Sequence, residues 1–265
     1  MRIDQYNSNG LKKKNRSRFW FGAGGAFLLG AFFIGAIYFI LHSPWLAVRD
    51  FSAPELPGIS GRDILDSLKI EMLGNYVRAM LGPKNILFWK WGDHPESLYR
   101  FPALKNLSVE ASFWKRSVKV SAEERRLWGV VCNSPGSTCF GVDENGIVFS
   151  RVPEVFGFLL LRINDVNNRV FIPGQPLFSR QAWFSNFKKT VDILNESGFR
   201  VIGIKSMNTL SREWEAQILG KPDFYFNLSF VPDNLDSVLK GLDSSINLSK
   251  ASYVDFRIPT RIYYR

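Results

Sequence analysis

Histidine is almost missing from this chain of 265 residues, which has only His42 and His94. A Ser-His-Asp or Cys-His site needs a histidine as base, and no motif surrounds either residue. Cysteine is as scarce, with only Cys132 and Cys139. Zinc takes roughly four ligands, and the two histidines stand far from the cysteines and from each other. A phosphate-binding glycine loop is lacking too, because Gly22, Gly24 and Gly25 fall inside an apolar run. Glu123 and Glu124 are neighbouring carboxylates, but adjacent residues on a strand point to opposite faces, so they do not flank one glycosidic bond. The pairing of Glu124 with Arg125 or another arginine is the structural reading. No internal repeat, low-complexity tract or heptad run is present. Enzyme, cofactor, metal and small-molecule substrate are therefore all unexpected.

What the chain does have is a charge-free stretch from Phe19 to Leu41. At about 1.5 Å per residue such a helix matches a hydrocarbon layer of about 30 Å. Phe19, Trp20, Phe21 and Trp45 sit near its ends, where amphipathic rings favour an interface. A single transmembrane helix over 19–41 is the expectation; a cleaved signal peptide would need a shorter apolar core and a small-x-small site. Lys12, Lys13, Lys14, Arg16 and Arg18 precede the run, which places the N-terminus inside. Residues 1–18 carry six basic groups and one acidic, so +5 of the net +10 belongs to this tail. It reads as a topogenic signal that touches anionic lipid, not as a nucleic-acid site, where charge gathers on a folded face. Gly22, Ala26 and Gly30 recur every four residues, a spacing that suits helix pairing or a plain anchor.

The remaining stretch is rich in aromatics and has material for two modest domains. Leu46–Phe51 reads as a strand, and Ser60-x-x-Asp63 as a capping box before Ile64, Leu65, Leu68 and Met72 at helical spacing. Tyr76–Leu81 adds a turn or two, and Gly82-Pro83 stops it. Ile86–Trp89 is a short apolar segment. Asp93 caps a short helix with Leu98 and Phe101 inward. Residues 107–113 and 118–122 alternate as a hairpin with Trp114-Lys-Arg-Ser117 at its tip.

From 126 the chain turns β-rich. Strands are expected at 129–132, 139–142, 146–149, 158–163, 169–172, 201–205, 213–219, 223–230 and 253–258. Helices are expected at 180–197, with Trp183, Phe184, Phe187, Val191 and Leu194 on one face, and after Asp233, with Leu235, Val238, Leu239, Leu242 and Ile246 inward. The residues between Cys132 and Cys139 are turn formers. In an oxidising compartment a disulfide closing this hairpin is one reading, and two free thiols are the other.

The last strand is the candidate binding element. Tyr253, Asp255, Arg257, Tyr263 and Tyr264 concentrate the residue types enriched at binding hot spots. An end strand often lies at a sheet edge, where another chain can add a strand. The competing reading is a buried strand whose tyrosines belong to the core.

Three motifs, with the anchor before them, resemble the FtsQ/DivIB family of cell-division proteins. Val118-Lys-Val-Ser-Ala-Glu-Glu124-Arg125 is similar to the end of that family's POTRA domain. Cys139-Phe-Gly-Val-Asp143-Glu-Asn-Gly146-Ile-Val-Phe149 is similar to its Val-Asp-x-x-Gly hairpin. Tyr253-Val-Asp255-Phe-Arg257 is similar to its late Tyr-x-Asp-Leu-Arg strand. Leu127 and Lys115-Arg116 depart from prolines that the family often has, and the cysteine pair is not a family feature. The resemblance implies an α+β fold with a cytoplasmic tail (1–18), a transmembrane helix (19–41), a strand-helix-helix-strand-strand POTRA domain (44–125) and a β domain with two helices (126–265). It implies a non-catalytic scaffold of the bacterial divisome in the inner (plasma) membrane at the septum, a single-pass type II protein. Its implied partners are the FtsB and FtsL type, through which septal peptidoglycan synthesis is controlled. Tyr253 to Arg257 would dock a partner strand. A POTRA-type adaptor or chaperone for exported proteins is the alternative, because this fold does not fix one function.

Overall fold

A computed structural model describes residues 14–89, 95–133, 138–154, 157, 159–245, 248 and 251–265. Helix α1 spans Lys14–His42, with side chains described from Phe27 onward. Among the described residues no helix is long and apolar enough to cross a membrane. That corrects the expected transmembrane helix over 19–41. The class is α+β with a large sheet. Most of the basic tail, and the spacing Gly22, Ala26 and Gly30 in part, lie outside the described side chains.

The chain divides into two compact units, 1–94 with 108–121, and 95–107 with 122–265. In the first, strand β1 is Asp50–Ser52, later and shorter than expected. Residues before it bond elsewhere: the Val48 N–H donates to the Lys84 carbonyl at 2.8 Å, and the Ile86 N–H to the Leu46 carbonyl at 2.7 Å. Helix α2 is Gly61–Leu73, with the Ser60 hydroxyl capping it by accepting from the Arg62 N–H at 3.2 Å. Its Ile64, Leu68 and Met72 are buried, as a period of 3.6 requires. Asn75 caps α3, Tyr76–Leu81, none of whose side chains is fully buried, although Leu81 is half-buried. Helix α4 is Ile86–Trp89. Phe88 and Trp89 are buried, and Trp89 Nε1 donates to the Pro83 carbonyl at 2.8 Å. Helix α5, Pro95–Arg100, follows in sequence but belongs to the second unit; the capping residue expected for it, Asp93, lies outside the described residues. Strands β2 (Leu104–Ser112) and β3 (Ser117–Glu124) follow. The three-stranded sheet has the order β1-β3-β2, with β1 parallel to β3.

The second unit is built on a nine-stranded sheet. Its strands are β4 (Leu127–Cys132), β5 (Cys139–Asp143), β6 (Val148–Val152), β7 (Leu161–Asp165), β8 (Val201–Asn208), β9 (Glu213–Ile218), β10 (Asp223–Asn227), β11 (Tyr253–Ile258) and β12 (Arg261–Tyr264). The spatial order is β12-β11-β10-β9-β8-β7-β4-β5-β6. Parallel neighbours need a long crossover, and two helices supply it. Helix α6 (Gln181–Glu196) links β7 to its parallel partner β8, and α7 (Leu235–Ser245) links β10 to β11. Phe184, Phe187, Val191 and Leu194 of α6 join Leu235, Leu239 and Leu242 of α7 in one core with Trp214, Phe226 and Phe256. Burying each such side chain stabilises the fold by about 1.5–3 kcal/mol. The chain leaves α6 at Gly198, whose φ of +86° favours glycine. Gly146 is fixed by space as well, since a Cβ there would meet the Phe184 ring at 2.5 Å.

The expected strand at 169–172 does not form. Val166–Asn168 turn the chain, and the Asp165 carboxylate accepts both the Arg169 N–H at 3.0 Å and its Nε at 3.1 Å. Arg169 Nη1 donates to the Leu177 carbonyl at 2.7 Å. The segment is held through a side chain where its sequence alternates like a strand. Two residues from the separate motifs quoted above also meet: Arg125 Nη1 donates to Asp143 at 2.7 Å. Asp143 also accepts from the N–H groups of Asn145 at 2.9 Å and Ile147 at 2.8 Å.

Candidate binding edge of the large sheet

The strand expected to close the sheet, Tyr253–Ile258, is not its edge. Arg261–Tyr264 folds back on it as β12, so β11 lies between β10 and β12. The open row of backbone groups belongs to β12. The Arg265 N–H and carbonyl both turn inward, to Tyr253 and Ser252 of the adjoining chain. Alternation then turns the N–H of Tyr264 outward.

Along β11, Val254 and Phe256 enter the core while Tyr253, Asp255 and Arg257 share the opposite face. Tyr263 is aligned with Asp255 and belongs to that face; Tyr264 is aligned with Val254 and belongs to the other. Four of the five expected residues thus come together, and Tyr264 stands apart. Tyr263 and Tyr264 are exposed.

Arg257 organises this face. Its Nη2 lies 2.6 Å from Asp255 Oδ2 and its Nη1 3.1 Å from Glu213 Oε1. Its guanidinium stands 5.4 Å from the Tyr225 ring centre. Burial opposes charge on Asp255, and Arg257 outweighs it, holding the carboxyl below its usual range. The bond to Asp255 in turn raises the Arg257 pKa against the effect of burial. Lys205 Nζ bridges Asp223 at 2.8 Å and Glu215 at 3.0 Å, and these two bonds raise its pKa. Burial, and then Glu215, push the Tyr225 hydroxyl up. The Tyr225 and Tyr253 rings meet edge to face at 5.8 Å. Sequence reading missed Lys205, Glu213, Glu215, Asp223 and Tyr225. Alternation in Asp-Phe-Tyr-Phe-Asn227 sends Phe224 and Phe226 to the core and turns Asp223 and Tyr225 outward, but only the sheet order brings the five residues to Arg257.

On the helix side of the same hairpin is a cavity of about 280 Å³. Leu235, Val238, Phe256, Ile258 and Ile262 line it, with Arg261 among its polar members. An added strand on β12 would gain backbone hydrogen bonds. The cavity on one face and the tyrosines with Arg257 on the other offer register.

Elsewhere in this unit, Cys132 and Cys139 are joined, with sulfurs 2.05 Å apart, and both are buried between β4 and β5. His42 stacks on Tyr38 at 4.5 Å, whereas His94 lies outside the described residues. No protein-family model matches the chain, and no curated protein matches it in sequence.

Proposed function

We propose that this chain is a non-catalytic scaffold of the bacterial divisome, of the FtsQ/DivIB kind, acting outside the cytoplasm at the division septum. It binds small division proteins of the FtsB and FtsL type and, through them, helps control septal peptidoglycan synthesis. The observation that carries this reading is the unpaired β12 edge, flanked by tyrosines on both faces and by a side-chain-sized cavity. That is the equipment for strand addition, in which main-chain bonds give affinity and side-chain pockets give specificity.

Two further features support it. The order β1, helices, β2, β3, with β1 alongside β3, agrees with a POTRA-like first unit. The Cys132–Cys139 disulfide favours an oxidising compartment. A fluorescent fusion of the full chain should gather at midcell in dividing cells. Even distribution round the envelope would overturn the division reading in favour of a general export adaptor.

A further inference from the structure

At one end of the first unit three backbone segments meet. The Arg116 guanidinium donates through Nε to the Ala47 carbonyl at 3.0 Å and through Nη2 to the Pro44 carbonyl. The Arg49 N–H donates to the Arg116 carbonyl at 2.8 Å, and Asn85 Nδ2 to the Ile40 carbonyl at 2.7 Å. The tip of the β2–β3 hairpin, the segment after α1 and the 82–85 turn are thus tied together. Arg116 takes a φ of 53° there, a left-handed conformation that its two carbonyl contacts help hold.

This tying puts two bare tryptophans on one end of the unit. Trp114 is 95% exposed and Trp45 is 78% exposed, with Phe113 beside them also exposed. Segments 43–50, 82–85 and 113–117 together hold Arg49, Lys84, Lys115 and Arg116 against the single acid Asp50. Arg49, Lys84 and Lys115 are exposed, while Arg116 is spent on the backbone. Ile37, Tyr38 and Phe39 of α1, a short way before Trp45 in sequence, are exposed as well.

We infer that this end of the first unit docks on an anionic lipid surface, with Trp45 and Trp114 entering the head-group layer inside a ring of Arg49, Lys84 and Lys115. Indole combines an apolar body with one N–H donor, which suits the boundary between head groups and acyl chains. Flanking lysine and arginine are drawn to anionic head groups, while a protein interface tends to be depleted in lysine. Contact of this kind reaches only about 5–10 Å into the layer and needs no crossing helix. It does not involve β12, so it stands or falls apart from partner binding there.

The test uses the full chain carrying Phe113→Cys, which keeps both tryptophans, labelled with an environment-sensitive fluorophore; the two native cysteines are buried in their disulfide. Vesicles of phosphatidylcholine and phosphatidylglycerol carry a nitroxide at head-group depth. Leu210→Cys, at an exposed site in the second unit, is the reference. Quenching at 113 should exceed that at 210 about fivefold, as expected for a residue beside rings seated in the layer. Adding Lys84→Glu and Lys115→Glu should remove most of this excess. Equal quenching at the two sites, or no quenching at all, would overturn the inference and leave the surface to a protein partner. An excess untouched by the charge reversals would overturn the role given to the basic ring.

Discussion

Helix α6 buries Phe184, Phe187, Val191 and Leu194, whereas α3 leaves Tyr76, Val77 and Met80 exposed and fully buries no residue. Both are rich in apolar residues. The difference is length and neighbours: 16 residues of α6 present a full stripe to a nine-stranded sheet, while six residues of α3 hang between the caps Asn75 and Gly82. A helix as short as α3 gains little on its own. One region spends its apolar surface on folding, and the other leaves it exposed.

The comparison can be broken first in the core. Phe187 packs on Trp214 at 4.8 Å and on Trp128 at 5.8 Å. Phe187→Ala should cost about 3–5 kcal/mol in denaturant unfolding, and Met80→Ala on α3 less than about 0.5 kcal/mol. Similar costs would mean that α3 is packed against something after all. Next is Asp143, whose side chain is only 1% exposed and accepts from Arg125 and two backbone N–H groups. Asp143→Ala leaves that guanidinium without its carboxylate and should cost about 3 kcal/mol; a change under about 1 kcal/mol would show that the pair is dispensable.

The disulfide comes third. Its loop has a sequence separation of 7, and the chain-entropy relation gives about 2.5 kcal/mol for so short a loop. The double change Cys132→Ser and Cys139→Ser should lower stability by that amount in the second unit and leave the first unit's unfolding unchanged. The smallest effect concerns pH. The folded-state pKa of Asp255 is lowered, so its contribution is present above the unfolded value near 3.9 and is lost as pH falls below it. Stability of the second unit should drop as pH falls below about 4. Arg257→Ala should remove less than about 1 kcal/mol of that drop; an acid limb unchanged by the substitution would deny Arg257 its role.

The same contrast explains what could be read from residues alone. Long periodic segments were legible, because α6 and α2 carry stripes that only one face can bury. The hairpins at Lys115-Arg116 and at Asp143–Gly146 were legible from turn formers and alternation. The segment 169–172 was not, since Asp165 and Arg169 capture the chain by side-chain bonds that alternation does not encode. Strand β12 was missed because Arg-Ile-Tyr-Tyr264 follows Pro259 after a very short turn and has little apolar pattern. That miss moved the binding edge by one strand. Four of the five chosen residues still share a face, because period two is preserved along β11 and across to Tyr263. The partners from β8, β9 and β10 could not be found without the sheet order.

The central claim is that the unpaired side of β12 binds another chain. Affinity of the full chain for an FtsB-type partner, measured by titration calorimetry, tests it with two variants. Tyr264→Pro removes the outward N–H without touching the inward bonds of Arg265, and Tyr263→Ala removes only a side chain. The account predicts about a hundredfold weaker binding for the first, and about tenfold for the second as for a moderate interface residue. Wild-type affinity in Tyr264→Pro, with the fold intact by circular dichroism, would contradict it.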